Sequence, residues 1–284
     1  MKCKICNNLA SQIYNGPLRR YFDEEMNKPD VAVFNCDFCN ISFLSKNLID
    51  NNYYDEDYYK NSKKMPDKIK RLNEARLWHD KLNSLGIKVN EGSKILGFGA
   101  GTGDFESQFE DEVIIDTVEP DKNIREKFLQ FCNQNYSSIL ECPNSNYDYI
   151  FSFDTLEHIE NLEQIVTQLY QKLDKDGIIV IGVPNLKDLY LEIFPKYKNR
   201  FYHHEHIWYL SIEFLDNLLV KNQFKVLASA GLHKYDFNNF LKWSKVTNSE
   251  SFIEEVVDGQ LEYNWKEYLE KHIISSHILI VGRK

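Results

Sequence analysis

After Pro66, apolar side chains recur at spacings of three and four: Ile69, Leu72, Ala75, Trp78, Leu82 and Leu85. That spacing predicts an amphipathic helix, and Gly86 ends it. From Ser93 the pattern shortens. Lys94–Phe98 is a strand running into glycines, Val113–Val118 a second, Ser138–Leu140 a third and Tyr149–Phe153 a fourth. A helix over Thr155–Leu173 follows, Gly177 closes that unit, and Ile178–Val183 is a fifth strand. A helix over Ile212–Lys221 leads into Phe224–Ala230, and Ile278–Val281 supplies the seventh strand. Strands alternating with helices predict an α/β fold with a mostly parallel seven-stranded sheet covered on both faces. Residues 235–272 interrupt it as a helical insertion, with Phe237, Phe240, Leu241, Phe252, Ile253, Val256 and Val257 as candidate buried positions.

Residues 1–60 follow a different rule. Four of the six cysteines form two identical pairs, Cys3-x2-Cys6 and Cys36-x2-Cys39, flanked by the short apolar runs Val31–Phe34 and Ile41–Leu44. A Cys-x2-Cys knuckle turns both sulfurs to one side, and two knuckles complete a tetrahedral four-thiolate Zn²⁺ shell. A small zinc-ribbon domain is expected, its metal structural because no coordination position stays open. Disulfides are the competing reading in a chain without an export signal, and a redox pair would need a βαβ context that neither motif has. The organisation expected is therefore a zinc-binding domain at 1–60, a linker and helix at 61–92, and a catalytic domain at 93–284.

The first α/β strand ends in Gly97-Phe98-Gly99-Ala100-Gly101-Thr102-Gly103. Gly-x-Gly-x-Gly at a strand's carboxyl end lets a ligand approach the backbone closely. The second strand ends in Val118-Glu119-Pro120-Asp121, which puts an acid where ribose hydroxyls are bound in open α/β sheets. Loop and acid together point to a nucleoside-bearing cofactor. The tight glycine spacing resembles class I S-adenosylmethionine-dependent methyltransferases rather than the Gly-x-Gly-x-x-Gly of dinucleotide folds. The resemblance covers about Ser93–Gly282 and includes Phe153-Asp154-Thr155-Leu156-Glu157-His158-Ile159, similar to the family's Leu-Glu-His stretch, and Asp176-Gly177 before a strand ending in Pro184-Asn185. It implies a Rossmann-like fold and S-adenosylmethionine as cofactor. The contacts it implies are Phe98, Gly99, Ala100, Gly101 and Gly103 in the loop, Glu119 and Pro120 after the second strand, and Leu140 and Phe153 further on. One position departs: Gly97 stands where the family carries an acid that helps hold the cofactor's amino group.

After the fifth strand comes Tyr202-His203-His204-Glu205-His206-Ile207-Trp208-Tyr209-Leu210-Ser211. Imidazole titrates nearest neutrality, so such a loop can take a proton from an acceptor. A polar surface loop leading to a Ser211 N-cap, or a metal site, would also fit these residues. The whole combination resembles bacterial sugar methyltransferases with an N-terminal zinc-binding domain, which modify nucleotide-linked deoxysugars. There a tyrosine-rich stretch follows the zinc domain and a Tyr-x-Glu-His motif supplies the general base. Glu205 and His206 match its last two positions, His203 replaces the tyrosine, and Tyr53, Tyr54, Tyr58 and Tyr59 offer the stretch. Full-length C-methylating members carry a further C-terminal domain, so O- or N-methylation is favoured. His158 is a further candidate facing the substrate. Asp154-x-x-Glu157 reads as a capping box, with a divalent-ion stretch like that of related quinone O-methyltransferases as the alternative.

Composition narrows the partners. With 34 basic against 43 acidic side chains the net charge is −9, and residues 1–60 carry no basic excess. That disfavours nucleic acid and leaves a small substrate such as a sugar nucleotide, which needs only a local basic pocket. The basic run Lys60, Lys63, Lys64, Lys68, Lys70 and Arg71 reads as a solvated linker. No apolar run approaches the ~20 residues that span a bilayer, and none follows the N-terminus as a signal peptide, so a soluble cytoplasmic protein is expected. Two other readings stay open: an RNA methyltransferase gripping through the zinc ribbon, and a non-catalytic cofactor-binding protein.

Overall fold

Residues 1–19, 26–48, 67–109, 113–244 and 259–284 are described by the computed structural model. Tyr53, Tyr54, Tyr58, Tyr59, Lys60, Lys63, Lys64, Phe252, Ile253, Val256 and Val257 lie outside them.

Two sheets make up the chain. The first comprises β1 (Ser11–Arg19), β2 (Met26–Cys36) and β3 (Ile41–Leu44), paired antiparallel in that order. β1 is absent from the hydrophobic pattern because Gly16 and Pro17 interrupt it. The pairing absorbs them as an irregularity between Gly16 and Leu18, the usual place for such residues in an edge strand.

Helix α1 (Lys68–Ser84) then crosses to the second sheet. Asp67 accepts the Ile69 N–H at 2.9 Å as its N-cap, and Gly86 at φ +74° ends it. Its buried stripe is Ala75, Trp78 and Leu82, whereas Ile69 is exposed, so the predicted stripe holds only beyond the first turn.

The second sheet holds β4 (Lys94–Phe98), β5 (Ile114–Val118), β6 (Gln134–Tyr136), β7 (Tyr147–Phe153) and β8 (Leu173–Pro184). β9 (Trp208–Leu210) leaves for the first sheet, and β10 (Lys225–Leu232) and β11 (His277–Arg283) return. The spatial order is β10-β11-β8-β7-β4-β5-β6, with β11 antiparallel to both neighbours. Every β4 residue after Lys94 is buried, as a parallel strand covered on both faces requires. Ile95, Phe151 and Val180 pack under α1. Leu96, Ile150 and Ile179 pack on the other face, against α2 (Leu162–Lys172) and the helix Ile212–Lys221.

Three expectations are corrected. The third strand is Gln134–Tyr136, not Ser138–Leu140, which leads into a 3₁₀ turn capped by Ser138. Its polar residues bond across the sheet edge: Thr117 Oγ1 donates to Asn135 Oδ1 at 2.6 Å. The helix expected over Thr155–Leu173 is split into a 3₁₀ turn, Leu156–His158, and α2. The carbonyls of Glu157 and Ile159 accept from Ile207 N–H (2.9 Å) and Trp208 Nε1–H (2.8 Å), so they serve a distant loop instead of a helix. Asp154 forms no capping box, since the turn has no side-chain cap. It sits at φ +49°, pairs with Lys234 Nζ (2.7 Å) and lies 3.4 Å from His277 Nε2; against the effect of burial, the Lys234 charge and these contacts hold its carboxyl below the usual range.

In the insertion, Phe237, Phe240 and Leu241 are half-buried, and Phe240 packs on Trp265 of the helix Gly259–Lys271. No helix among the described residues is long and apolar enough to cross a membrane.

Candidate active site

The glycine loop is shaped by two glycines for different reasons. Gly99 takes φ +73°, and a Cβ there would overlap Thr155, whose own Cβ is only 2.9 Å away. Gly101 takes φ +55° with nothing within 4 Å of an added Cβ, so it borders open space. Gly99→Ala is expected to cost about 1–3 kcal/mol from backbone strain alone, before any displacement of Thr155. Chemical denaturation checks this, and an unchanged midpoint would contradict it.

Glu119, 7% exposed, faces this loop across the end of β5. Its Oε2 accepts the Gly101 N–H at 2.9 Å and its Oε1 the Asp121 N–H at 3.1 Å. Burial pushes the carboxyl up to about 7. A carboxylate has about four lone-pair sites, so two backbone donors leave it free to accept a diol as well. Arg125 fixes the turn behind by donating to the carbonyls of Glu119 and Pro120.

Thr155 joins the glycine loop to the next element: its hydroxyl donates to the Phe153 carbonyl at 2.9 Å, beside those of Phe98 and Gly99. His158 follows, and its Nδ1 lies 3.1 Å from the Glu205 carbonyl, which stitches this turn to the histidine loop. The ring of His206 stacks on His203 (4.6 Å between centroids, 16°) and meets His158 edge-on at 4.8 Å. Glu205 Oε2 lies 3.5 Å from His203 Nδ1. The Tyr209 hydroxyl accepts from the His203 N–H at 2.8 Å and so fixes the loop's start.

His203, Glu205 and His206 are buried, and His158 is half-buried. Burial holds His158 down to about 4 and His206 well below its ordinary value, reinforced at His206 by the neighbouring imidazoles and Arg19. His203 is lowered too, by burial and by Arg19 and Arg200. His206 is therefore neutral at pH 7, the form that accepts a proton. Glu157, Glu205's counterpart on the adjoining turn, is 2% exposed, and burial raises its carboxyl well above the usual range. Neither of its oxygens has a hydrogen-bond partner among the described residues, and one oxygen lies within 4.8 Å of ligand nitrogens of His158 and His206.

The cysteine cluster stands at the other end of the same loop. Cys3 and Cys39 sulfurs are 4.0 Å apart, Cys6 and Cys36 3.6 Å, and all four lie within 4.8 Å of one another. Four sulfurs at about 2.3 Å from a tetrahedral Zn²⁺ would be about 3.8 Å apart, so the spacing fits the metal. It is far from the ~2.05 Å of a disulfide. Each knuckle closes on an asparagine in the left-handed region, Asn7 at φ +62° and Asn40 at φ +54°. The Asn40 carbonyl accepts the Ser211 hydroxyl at 2.6 Å, and β3 pairs with β9 directly after the histidine loop.

Thus Gly99, Gly101, Gly103 and Glu119 come together, as do His158, His203, Glu205 and His206. Phe98 and Pro120 close the ends of β4 and β5, and Ala100 is half-buried in the loop. Leu140 is 72% exposed on its turn, and Phe153 stacks on Trp78 at 4.5 Å beneath α1. Thr155, Tyr209 and Lys234 hold these turns through hydrogen bonds and an ion pair, at positions that spacing did not mark. Only the placement of Thr155 in a Leu-Glu-His stretch hinted at one of them.

A family model described as a methyltransferase domain matches residues 69–229. No curated protein sequence matches the chain. Among solved structures, a SAM-dependent methyltransferase from Thermotoga maritima superposes with a TM-score of 0.51 at 19% identity, over 74% of this chain and 91% of that one. The protein solved in complex with the Trm112 methyltransferase activator of Haloferax volcanii gives 0.52 at 12% identity, over the same shares. At such identities the likeness is one of fold.

Proposed function

The chain belongs to the methyltransferase-domain family, whose model spans more than half of it, and is an S-adenosylmethionine-dependent methyltransferase; on that premise we propose that its substrate is a sugar or nucleotide-linked sugar, methylated on oxygen or nitrogen. One observation carries this reading. The histidine loop joins the turn beside Gly99 to the N-terminal sheet, with the charges of Arg19 and Arg200 near enough to act on His203. Guanidinium groups beside a proton acceptor suit a substrate that carries phosphate.

When bound, S-adenosylmethionine supplies an electrophilic methyl on a sulfonium. The open face at Gly101 admits the nucleoside, and Glu119 receives the ribose hydroxyls. His206, neutral, would take the proton of the acceptor hydroxyl or amine as that acceptor received the methyl, with the demethylated thioether left as the other product. Glu205 orients His203, on whose ring His206 stacks. Zn²⁺ held by Cys3, Cys6, Cys36 and Cys39 is structural, and through Asn40, Ser211 and the β3–β9 pairing it holds the histidine loop in register. The zinc domain helps cover the substrate in this reading, and the protein works in the cytoplasm.

Screening nucleotide-linked sugars for a product about 14 Da heavier tests the substrate class, since one proton is exchanged for a methyl. Turnover of an RNA with no sugar accepted would overturn it. Glu119→Ala is expected to weaken cofactor binding about 10- to 100-fold by removing charge-assisted hydrogen bonds, as calorimetry would show.

A second reading is favoured by the donor set of Glu157, His158 and His206, which fits a divalent ion. Metal analysis separates the two: one zinc per chain supports His206 as base, and a second ion that survives removal of the cysteine site supports a metal-assisted reaction.

A further inference from the structure

Gly97 lies in β4, two residues before the first glycine of the loop, and its lack of a side chain is used by Glu106. A Cβ on Gly97 would overlap Glu106 Oε1 and come within 2.8 Å of Glu106 Cδ. The carboxylate thus fills the place where a side chain at position 97 would begin. It arrives from the 3₁₀ turn Glu106–Gln108, pinned by Ser107 N–H to the Gly103 carbonyl (2.8 Å) and by Gln108 Nε2 to the Asp104 carbonyl (3.0 Å).

Three carboxylates surround the glycine loop, and two are answered. Asp104 pairs with Arg71 at 2.7 Å and accepts from Thr102. Glu119 accepts two backbone N–H groups. Glu106 is 3% exposed, and its Oε2 has no hydrogen-bond partner among the described residues. Burial pushes its carboxyl up to about 7, with Asp104 and Glu119 adding repulsion. A buried carboxylate in negative surroundings calls for a cation. The ligand read into this loop carries one, an α-ammonium separated from the ribose by the short methionine chain.

We propose that Glu106 receives the α-ammonium group of S-adenosylmethionine, so that in this chain the recognising carboxylate is delivered from the turn after the glycine loop into the space left by Gly97. The assignment rests on the cofactor reading of the loop. It makes Glu106 a determinant of selectivity for nucleosides bearing an intact amino acid.

Calorimetry with two nucleosides tests it: S-adenosylhomocysteine, which has the ammonium, and 5′-methylthioadenosine, which lacks it. Glu106→Gln is expected to weaken S-adenosylhomocysteine about tenfold or more while moving methylthioadenosine less than about twofold. Gly97 has no positive φ, so a side chain there is unstrained once space is made. The double variant Gly97→Glu/Glu106→Ala is therefore expected to regain most of the lost affinity, and Gly97→Glu alone to bind neither nucleoside well. The relocation also keeps the test decisive where Glu106→Gln fails to fold. Equal losses for both nucleosides, no loss for either, or no gain on relocation would overturn the assignment while leaving the cofactor site intact. If wild-type protein bound neither nucleoside, the cofactor reading itself would fall, and Glu106's role with it.

Discussion

Replacing His206 with alanine is expected to lower the methyl-transfer rate about 10²–10⁴-fold, the usual worth of a positioned general base. S-adenosylhomocysteine affinity should stay within about twofold, because Gly101 and Glu119 lie on the glycine loop and at the end of β5, away from the His206 ring. The effect should fall on kcat. In the proposed mechanism His206 enters the reaction neutral, since burial and two flanking imidazoles hold its pKa far down. Its weakness as a base is offset by position: an acceptor already aimed at the methyl needs its proton removed only as the new bond forms. His203→Ala removes the stacked neighbour without removing the base, and a smaller loss is expected. Rapid-quench measurement of the chemical step, with cofactor affinity from the same preparation, checks both. A His206→Ala enzyme retaining more than about a tenth of the rate would remove the residue from the mechanism.

Chelating the zinc proposed at the four cysteines, or replacing Cys36 with serine, is expected to lower activity about 10- to 100-fold, although no cysteine takes part in the proposed reaction. That range is typical of supporting shells around a site. The reason is connectivity. Cys36 ends β2, β3 follows it, and β3 pairs with β9, whose first residue lies two beyond His206. The second knuckle also holds the N-cap serine of the helix Ile212–Lys221 through the Asn40 carbonyl. Structural zinc is worth about 10–16 kcal/mol in isolated finger peptides, so its removal should melt this small sheet and free the histidine loop. Cofactor binding should survive, because the glycine loop belongs to the other sheet. Activity, S-adenosylhomocysteine affinity and metal content measured on one chelated sample decide it; full turnover in metal-free protein would contradict the coupling.

The elements legible in the chain were those whose pattern is local. Lys94–Phe98, Ile41–Leu44 and Ile212–Lys221 form to the residue, because an apolar run is bounded by glycines, by a cysteine knuckle, or by a Ser211 cap that accepts the Phe214 N–H. The Cys-x2-Cys pairs were equally plain, since the chemistry needs only spacing. What stayed hidden depends on partners distant in sequence. β6 is polar and exists because β5 offers an edge. β9 is three aromatic and aliphatic residues that read as loop until β3 pairs with them. The long helix after Thr155 fails because Glu157 and Ile159 give their carbonyls to residues about fifty positions away. Gly97 looked like a lost acid, and no pattern could show that Glu106 reaches into the gap nine residues later.

The most direct test is a calorimetric titration of the wild-type protein, Glu119→Ala and His206→Ala with S-adenosylhomocysteine. One site per chain, weakened by Glu119→Ala and unchanged by His206→Ala, is the result expected if adenosine lies over Gly99–Gly103 and the histidine acts only in the chemical step. Binding that ignored Glu119 but vanished with His206 would contradict it.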